Sequence, residues 1–358
     1  AASADRPRPE PPGGGPALRE AALAYWRRRG LRGVPEDIVA APGAPPLLFA
    51  LMAAYGGDVL MPRPCPATWM PQARLLGRPA YLVPTPAECG GIPDPYALLE
   101  TVRRVRAEGG RPRLLLISVA DVCEAAVGEG LHLVSDETWR DTLHHPGDTV
   151  LLSPAEMWPE DVTVLSDLAG ALAPPSWPAA VARFPATGRG ADRRRRVLDV
   201  LTALGAVVAE PVARAAAHAL REPAPVTDRV RRTASLHGQV AAAAHRAVLA
   251  SGALARPPRA GRHLYADLGP LRARLAARGV TDSMELEEYL TDRLGAPVPG
   301  GHRFGDELGA LRARIGTGPL LGATPEQRTE SLTAVDPLRL PHVAQALSMF
   351  AAALDELG

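Results

Sequence analysis

The sequence predicts an α/β protein: a large domain built on a mostly parallel sheet, then a smaller α+β domain at the carboxyl end. Three observations carry that prediction. Short apolar runs alternate with helical patterns from 38 to 166, as in a sheet covered on both faces. Two long helical patterns, 193–208 and 226–251, then follow with no strand between them. After them the chain offers only a few strands and helices, which fit a modest α+β sandwich. The expected divisions are an amino-terminal arm and first helix (1–37), the large domain (38–225), and a bridging helix with the small domain (226–358).

Taken in order, a helix is expected over 16–29, where Leu18, Ala22, Tyr25 and Trp26 form an apolar stripe and Gly30 supplies the stop. Residues 38–41 read as a short strand. The turn APGAPP follows, and 47–55 read as a buried helix ended by the Gly56-Gly57 pair. Strand 58–61, helix 70–76, strand 79–83, helix 95–108 and strand 114–119 continue the alternation, with strands 131–135 and 162–166 after them. The closing part offers strand 263–267, helices 270–278 and 283–294, strand 310–316 and helix 341–357. One interval is too short. A parallel crossover needs about a dozen residues or more, yet only 120–130 separates LLLISV from LHLVS. Either those strands are not parallel neighbours or residues are absent between Asp121 and Val122; we prefer the second reading, because VCEAAVGEG looks like the back half of a helix.

Of the 358 residues, 46% are hydrophobic and 22% charged, enough to bury a substantial core. The net charge of +1 gives no global field for nucleic acid or an anionic membrane, so neither is an expected partner. Cys65, Cys89 and Cys123 are odd in number and lack metal-ligand spacing, which points to a reducing, cytoplasmic setting without disulfides. The opening AASADRPRPEPPGGGP has no apolar core and reads as a disordered or strapped-down arm, neither signal peptide nor anchor. Lysine is absent altogether, and all 40 basic residues are arginine. GC-rich codon usage accounts for such a bias, but the chain still cannot form a lysine Schiff base.

Several segments, in order along nearly the whole chain, resemble the class I/II aminotransferases, pyridoxal-phosphate enzymes of fold type I. HLVSDETWRDTL (132–143) is similar to the family's strand ending in Asp-Glu-x-Tyr. PALREAALAYWRRRG, IVAAPGAPPLLFAL and GGDVLMPRPCPATW resemble its early helix, its Gly-Ala phosphate turn and its Gly-Asp-x-Val-x-x-Pro-x-Pro segment. The resemblance implies a two-domain homodimer. It places Asp136 opposite the pyridine nitrogen, where an anion keeps the ring protonated, and Trp139 where the family has a tyrosine. Read without the family, Asp136 caps a loop and Trp139 packs.

VLSDLAGALAPPSWPAAVA (164–182) resembles the family's lysine-bearing stretch, with Ser166 at its start. Aligning on Trp177 sets Gly170 at the Schiff-base lysine and Pro178 at the arginine that clamps the cofactor phosphate. Gly43 and Ala44 match the phosphate turn, but Pro45 and Pro46 remove two backbone donors from it; as plain structure, Pro45 simply starts a helix. Trp69 is the candidate to stack on the ring. The family's Asn-Pro-x-Gly loop would fall in the interval after Asp121. In GALRARIGT, Arg312 matches the arginine that forks onto a substrate carboxylate, against the alternative of a surface arginine. His144 and His145 read as loop surface, and the run 193–196 as a solvated helix face.

The leading expectation is an aminotransferase-like protein with a degenerate pyridoxal-phosphate site, no covalently bound cofactor and no catalytic residue at position 170. It would act as a ligand-binding, regulatory or assembly protein. Noncovalent pyridoxal phosphate, a small carboxylate or another flat heteroaromatic ligand remains compatible. Two alternatives stay open: an active aminotransferase working between an amino acid and a 2-oxo acid, and a cofactor-independent enzyme reusing the cleft through Asp136 or Cys65.

Overall fold

The computed structural model describes residues 10–85, 93–117, 123–148 and 152–356. These form two compact units: one from the described residues of Ala1–Trp139 and Leu151–Thr227, the other from those of Arg140–Val150 and Asp228–Gly358.

The first unit runs α1 (Pro16–Arg27), β1 (Ile38–Ala41), α2 (Ala44–Tyr55), β2 (Asp58–Arg63), α3 (Trp69–Leu75), β3 (Ala80–Pro84), α4 (Pro95–Ala107), β4 (Pro112–Ile117), α5 (Cys123–Gly128), β5 (His132–Asp136), α6 (Pro154–Met157), β6 (Val162–Asp167), β7 (Ala180–Arg183), α7 (Gly188–Ala203) and α8 (Glu210–Leu220). Its seven strands lie in the order β1-β7-β6-β5-β4-β2-β3. All pairs are parallel except the two that β7 makes, with β6 and with β1. The sequence reading omits β7, a four-residue run lying just beyond the Pro-rich loop.

Successive residues of one strand feed opposite faces. Leu114 and Leu116 join the core under α2 and α7, while Leu115 and Ile117 join the core under α1 and α8. All four have no solvent exposure, and burying such side chains stabilises by about 1.5–3 kcal/mol each. This double burial is why the strands read as continuous apolar runs. α4 starts where its cap says: Asp94 accepts from the Tyr96 and Ala97 amides at its head.

The described part of the arm is strapped down, since Gly13 bridges Ala40 of β1 and its carbonyl accepts from the Ala40 amide at 2.8 Å. Strands β4 and β5 are parallel neighbours, pairing Leu114 with His132 through Ile117 with Ser135. The expected break between Asp121 and Val122 falls outside the described residues.

The second unit takes α9 (Ala224–Ala250) from Asp228 onward, then β8 (Leu254–Ala255), β9 (His263–Asp267), α10 (Arg272–Ala276), α11 (Ser283–Leu294), β10 (Arg312–Gly316), α12 (Pro325–Thr333) and α13 (Pro341–Asp355). Its antiparallel sheet, β10-β9-β8, packs in a core that includes Val240, Leu264, Leu286 and Phe350. At the head of α11, Asp282 and Glu285 form a reciprocal capping box. His144 is not loop surface: it is buried in this unit, with its ring nitrogens on the carbonyls of Gly261 (2.9 Å) and Pro258 (3.2 Å). The HHPGDT loop had shown no apolar pattern that would announce this.

Candidate functional site

Parallel pairing puts the ends of β5 and β6 side by side, so Asp136 and Asp167 stand at the carboxyl edge of the large sheet. Thr138 links them. Its hydroxyl donates to Asp136 Oδ1 and accepts from the Asp167 amide at 3.0 Å, while its own amide donates to Asp136 Oδ1 at 3.0 Å. Asp167 in turn reaches across the sheet: Oδ1 accepts from the Ala169 amide (2.9 Å) and Oδ2 from the Ala44 amide (2.8 Å), the first residue of α2. Gly43 permits this turn with a φ of 100°, a conformation open to glycine. Pro178 lies 3.6 Å from where a Gly43 Cβ would be.

Gly170 closes the short turn Leu168–Gly170 that follows β6. A Cβ built there would sit 2.9 Å from both the Thr138 carbonyl oxygen and Thr138 Cγ2, so the loop after β6 packs directly on the segment after β5. Ser166 is buried within β6, and Trp139 is 41% exposed. Trp69, 3% exposed, is packed in the core under α2, and its ring offers almost no surface to a ligand.

Burial raises the Asp136 carboxyl to about 6 despite the two bonds from Thr138 that lower it, and the negative charges of Asp167 and Glu137 push the same way as burial. Glu137 is itself buried and accepts from Ser153 Oγ at 2.5 Å. Neither Asp136 nor Asp167 has an ion-pair partner among the described residues.

These residues do not fit a cofactor phosphate. The Ala44 N–H is already engaged by a carboxylate, Pro45 and Pro46 have no N–H, and Pro178 carries no charge. A dianion placed at this turn would meet the Asp167 carboxylate. Where the resemblance would set the cofactor ring, Asp136 stands at the end of β5 with its carboxyl raised by burial.

In the second unit, Arg312 opens β10 and its guanidinium is engaged. Nε donates to Asp267 Oδ2 (2.9 Å) and Nη1 to Asp306 Oδ1 (3.1 Å). The Asp306 side chain is 2% exposed and also accepts from the Tyr265 hydroxyl at 2.6 Å. Arg312 thus holds two carboxylates of its own chain.

Sequence reasoning missed Asp167, Thr138, Asp267 and Asp306. Only Asp167 carried a signal, a carboxylate placed to cap the turn after its strand. The run 193–196 is also not wholly solvated: Arg193 donates to His132 Nδ1 (2.6 Å) and lies 4.6 Å over the Tyr55 ring. The proton on His132 is thereby assigned to Nε2, facing Tyr55 and Thr163. No group of metal-binding side chains occurs among the described residues, and none of the described helices is long and apolar enough to cross a membrane.

Comparison with known proteins gives the fold a class. No family model matches the chain. A probable aspartate/prephenate aminotransferase of Thermus aquaticus is 29% identical over 185 residues, 47% of this chain and 46% of the relative, so the match spans less than half of that protein. Among solved structures, aspartate aminotransferase from Thermus thermophilus with maleate superposes with a TM-score of 0.76 at 21% identity, covering 97% of this chain and 84% of the other. The aromatic aminotransferase from Pyrococcus horikoshii gives 0.75 at 18% identity over 98% and 88%. The aspartate aminotransferase from Rhizobium meliloti gives 0.75 at 16% identity over 98% and 84%. The chain therefore has the mixed α/β fold of the fold-type I aminotransferases, built on a seven-stranded, mostly parallel sheet.

Proposed function

We propose that this chain is an aminotransferase-fold protein that does not transaminate through a lysine imine and serves as a ligand-binding or regulatory member of a homodimeric assembly. The absence of lysine from all 358 residues carries this reading. Two contacts support it: position 170 is closed by Thr138, and the turn before α2 is filled by Asp167. Under this reading the ligand is a flat heteroaromatic or small carboxylic compound. Asp136 would accept from a protonated ring nitrogen above about pH 6, where burial no longer keeps its carboxyl protonated, and a cationic N–H beside it would itself favour the carboxylate. Pyridoxal phosphate, if bound, would be held without a covalent link.

The likeness to the Thermus aquaticus sequence favours a second reading, an active aminotransferase transferring an amino group between an amino acid and a 2-oxo acid. One experiment decides. The purified protein is mixed with pyridoxal phosphate, its near-visible spectrum recorded before and after borohydride, and amino transfer assayed with common donors. No reducible adduct and negligible turnover are expected; robust turnover overturns the first reading in favour of the second.

A further inference from the structure

We infer that the amino edge of the large sheet carries a binding site for a small phosphate ester, built on Arg78, Arg111 and Arg113. The site lies where β2, β3 and β4 begin, at the end of those strands opposite Asp136 and Asp167. There the turns before the three strands border an open concavity of about 530 Å³, within the size range of small-molecule pockets.

The three arginines are set by local backbone. Gly56 and Gly57 both have positive φ, 64° and 71°. Both Nη atoms of Arg78 lie 3.6 Å from where a Gly56 Cβ would be, and Arg113 Cγ lies 2.7 Å from that position on Gly57. Gly57 lets the Arg113 stem and the Arg111 carbonyl approach the main chain at a range no Cβ would allow, while the Arg78 guanidinium rests in ordinary contact distance of Gly56. Arg78 Nε is buried without a hydrogen-bond partner among the described residues, which leaves its outer Nη atoms as the donors that face the concavity.

None of the three arginines has an ion-pair partner among the described residues. The lining also holds two carboxylates, and neither neutralises them directly. Asp58 is buried and accepts from the Arg111 amide at 2.6 Å, and Glu108 is exposed on the rim. Three like charges around one hollow repel, and a bound anion relieves that repulsion. A phosphate presents three terminal oxygens to three planar forks, where a carboxylate presents two. Tyr81, half-buried in the wall, gives an aromatic face beside them.

The test is calorimetric titration of the chain with inorganic pyrophosphate, ADP and citrate at low salt, repeated on Arg78→Gln/Arg113→Gln. Circular dichroism checks the fold of the variant, and Arg111→Gln, whose side chain is exposed, serves as a second variant. Saturable binding of pyrophosphate or ADP, weakened about tenfold or more in the variants, is expected. No binding of either at millimolar concentration overturns the site. Binding undiminished in both variants overturns the residues assigned, and citrate binding as tightly as pyrophosphate overturns the phosphate preference.

Discussion

A single methyl group tests whether position 170 is closed. In Gly170→Ala the new Cβ falls 2.9 Å from the Thr138 carbonyl oxygen and 2.9 Å from Thr138 Cγ2, well inside the roughly 3.5–4.0 Å at which carbon contacts are favourable. Gly170 does not have a left-handed backbone, so no φ penalty enters, and losing a glycine tends to stabilise by about 0.4–1 kcal/mol through the unfolded chain. Against that stands overpacking, typically about 1–3 kcal/mol. Thr138 decides the balance: its hydroxyl holds Asp136 and the Asp167 amide at once, so it cannot step aside without breaking those bonds. A net loss of roughly 1–2 kcal/mol is expected. All five tryptophans (Trp26, Trp69, Trp139, Trp158 and Trp177) lie in the first unit, so urea unfolding followed by tryptophan fluorescence reads that unit selectively. A neutral or stabilised Gly170→Ala refutes the packing. Gly170→Lys meets the same wall and is expected to lose at least as much stability.

Three further outcomes follow from charges. Asp136 has its pKa raised from 3.8 to about 6 in the fold; the native state therefore holds that proton more tightly, and stability of the first unit falls as pH rises from about 4 to about 6, by at most about 3 kcal/mol. Fluorescence-monitored unfolding of Asp136→Asn, which keeps a side-chain acceptor for Thr138, should lack that fall. His237, whose Nδ1 bonds Thr317 at 2.8 Å, is pushed from 6.5 down to about 3 by burial, with the positive charge of Arg262 adding to it. Its neutral form is favoured in the fold, so stability of the second unit is lost as pH falls from about 6.5 towards 3, and His237→Gln should flatten that limb in circular dichroism. Arg312→Ala leaves the buried Asp306 carboxylate with the Tyr265 hydroxyl as its one side-chain partner among the described residues and should cost about 1.5–3 kcal/mol; unchanged stability would mean that Arg312 is free for a ligand.

The inner strands were legible in the sequence because both faces of the sheet are buried there, which turns them into apolar runs such as LLLI at 114–117. The helix 283–294 was legible to the residue, since Asp282 and Glu285 cap it and Gly295 ends it in the left-handed region. β7 was not, because four residues beyond three prolines and a tryptophan carry no periodicity of their own, and its antiparallel direction is a tertiary fact. The position of Asp136 at a strand end could be read from HLVSD. The partner of Asp167 could not, because Ala44 lies 123 positions away. Trp69 shows the opposite error: an aromatic after a loop suggests a stacking face, yet it sits at the head of α3 with its ring in the core.

Composition alone does not account for what stands at the aligned positions. Drift towards GC-rich codons replaces lysine by arginine, and the chain has 40 arginines and no lysine. Such drift would leave a guanidinium at 170, and it would retain one at 178, where the resemblance asks for an arginine already. Glycine and proline stand there instead. The Gly170 turn has no room even for a Cβ, and Pro178 lies beside a Gly43 turn whose Ala44 amide is held by Asp167. An anion supplied by the chain at that amide makes the same kind of bond that a phosphate would make at a helix amino terminus. A carboxylate there stabilises the fold without a cofactor, as the proposed reading requires.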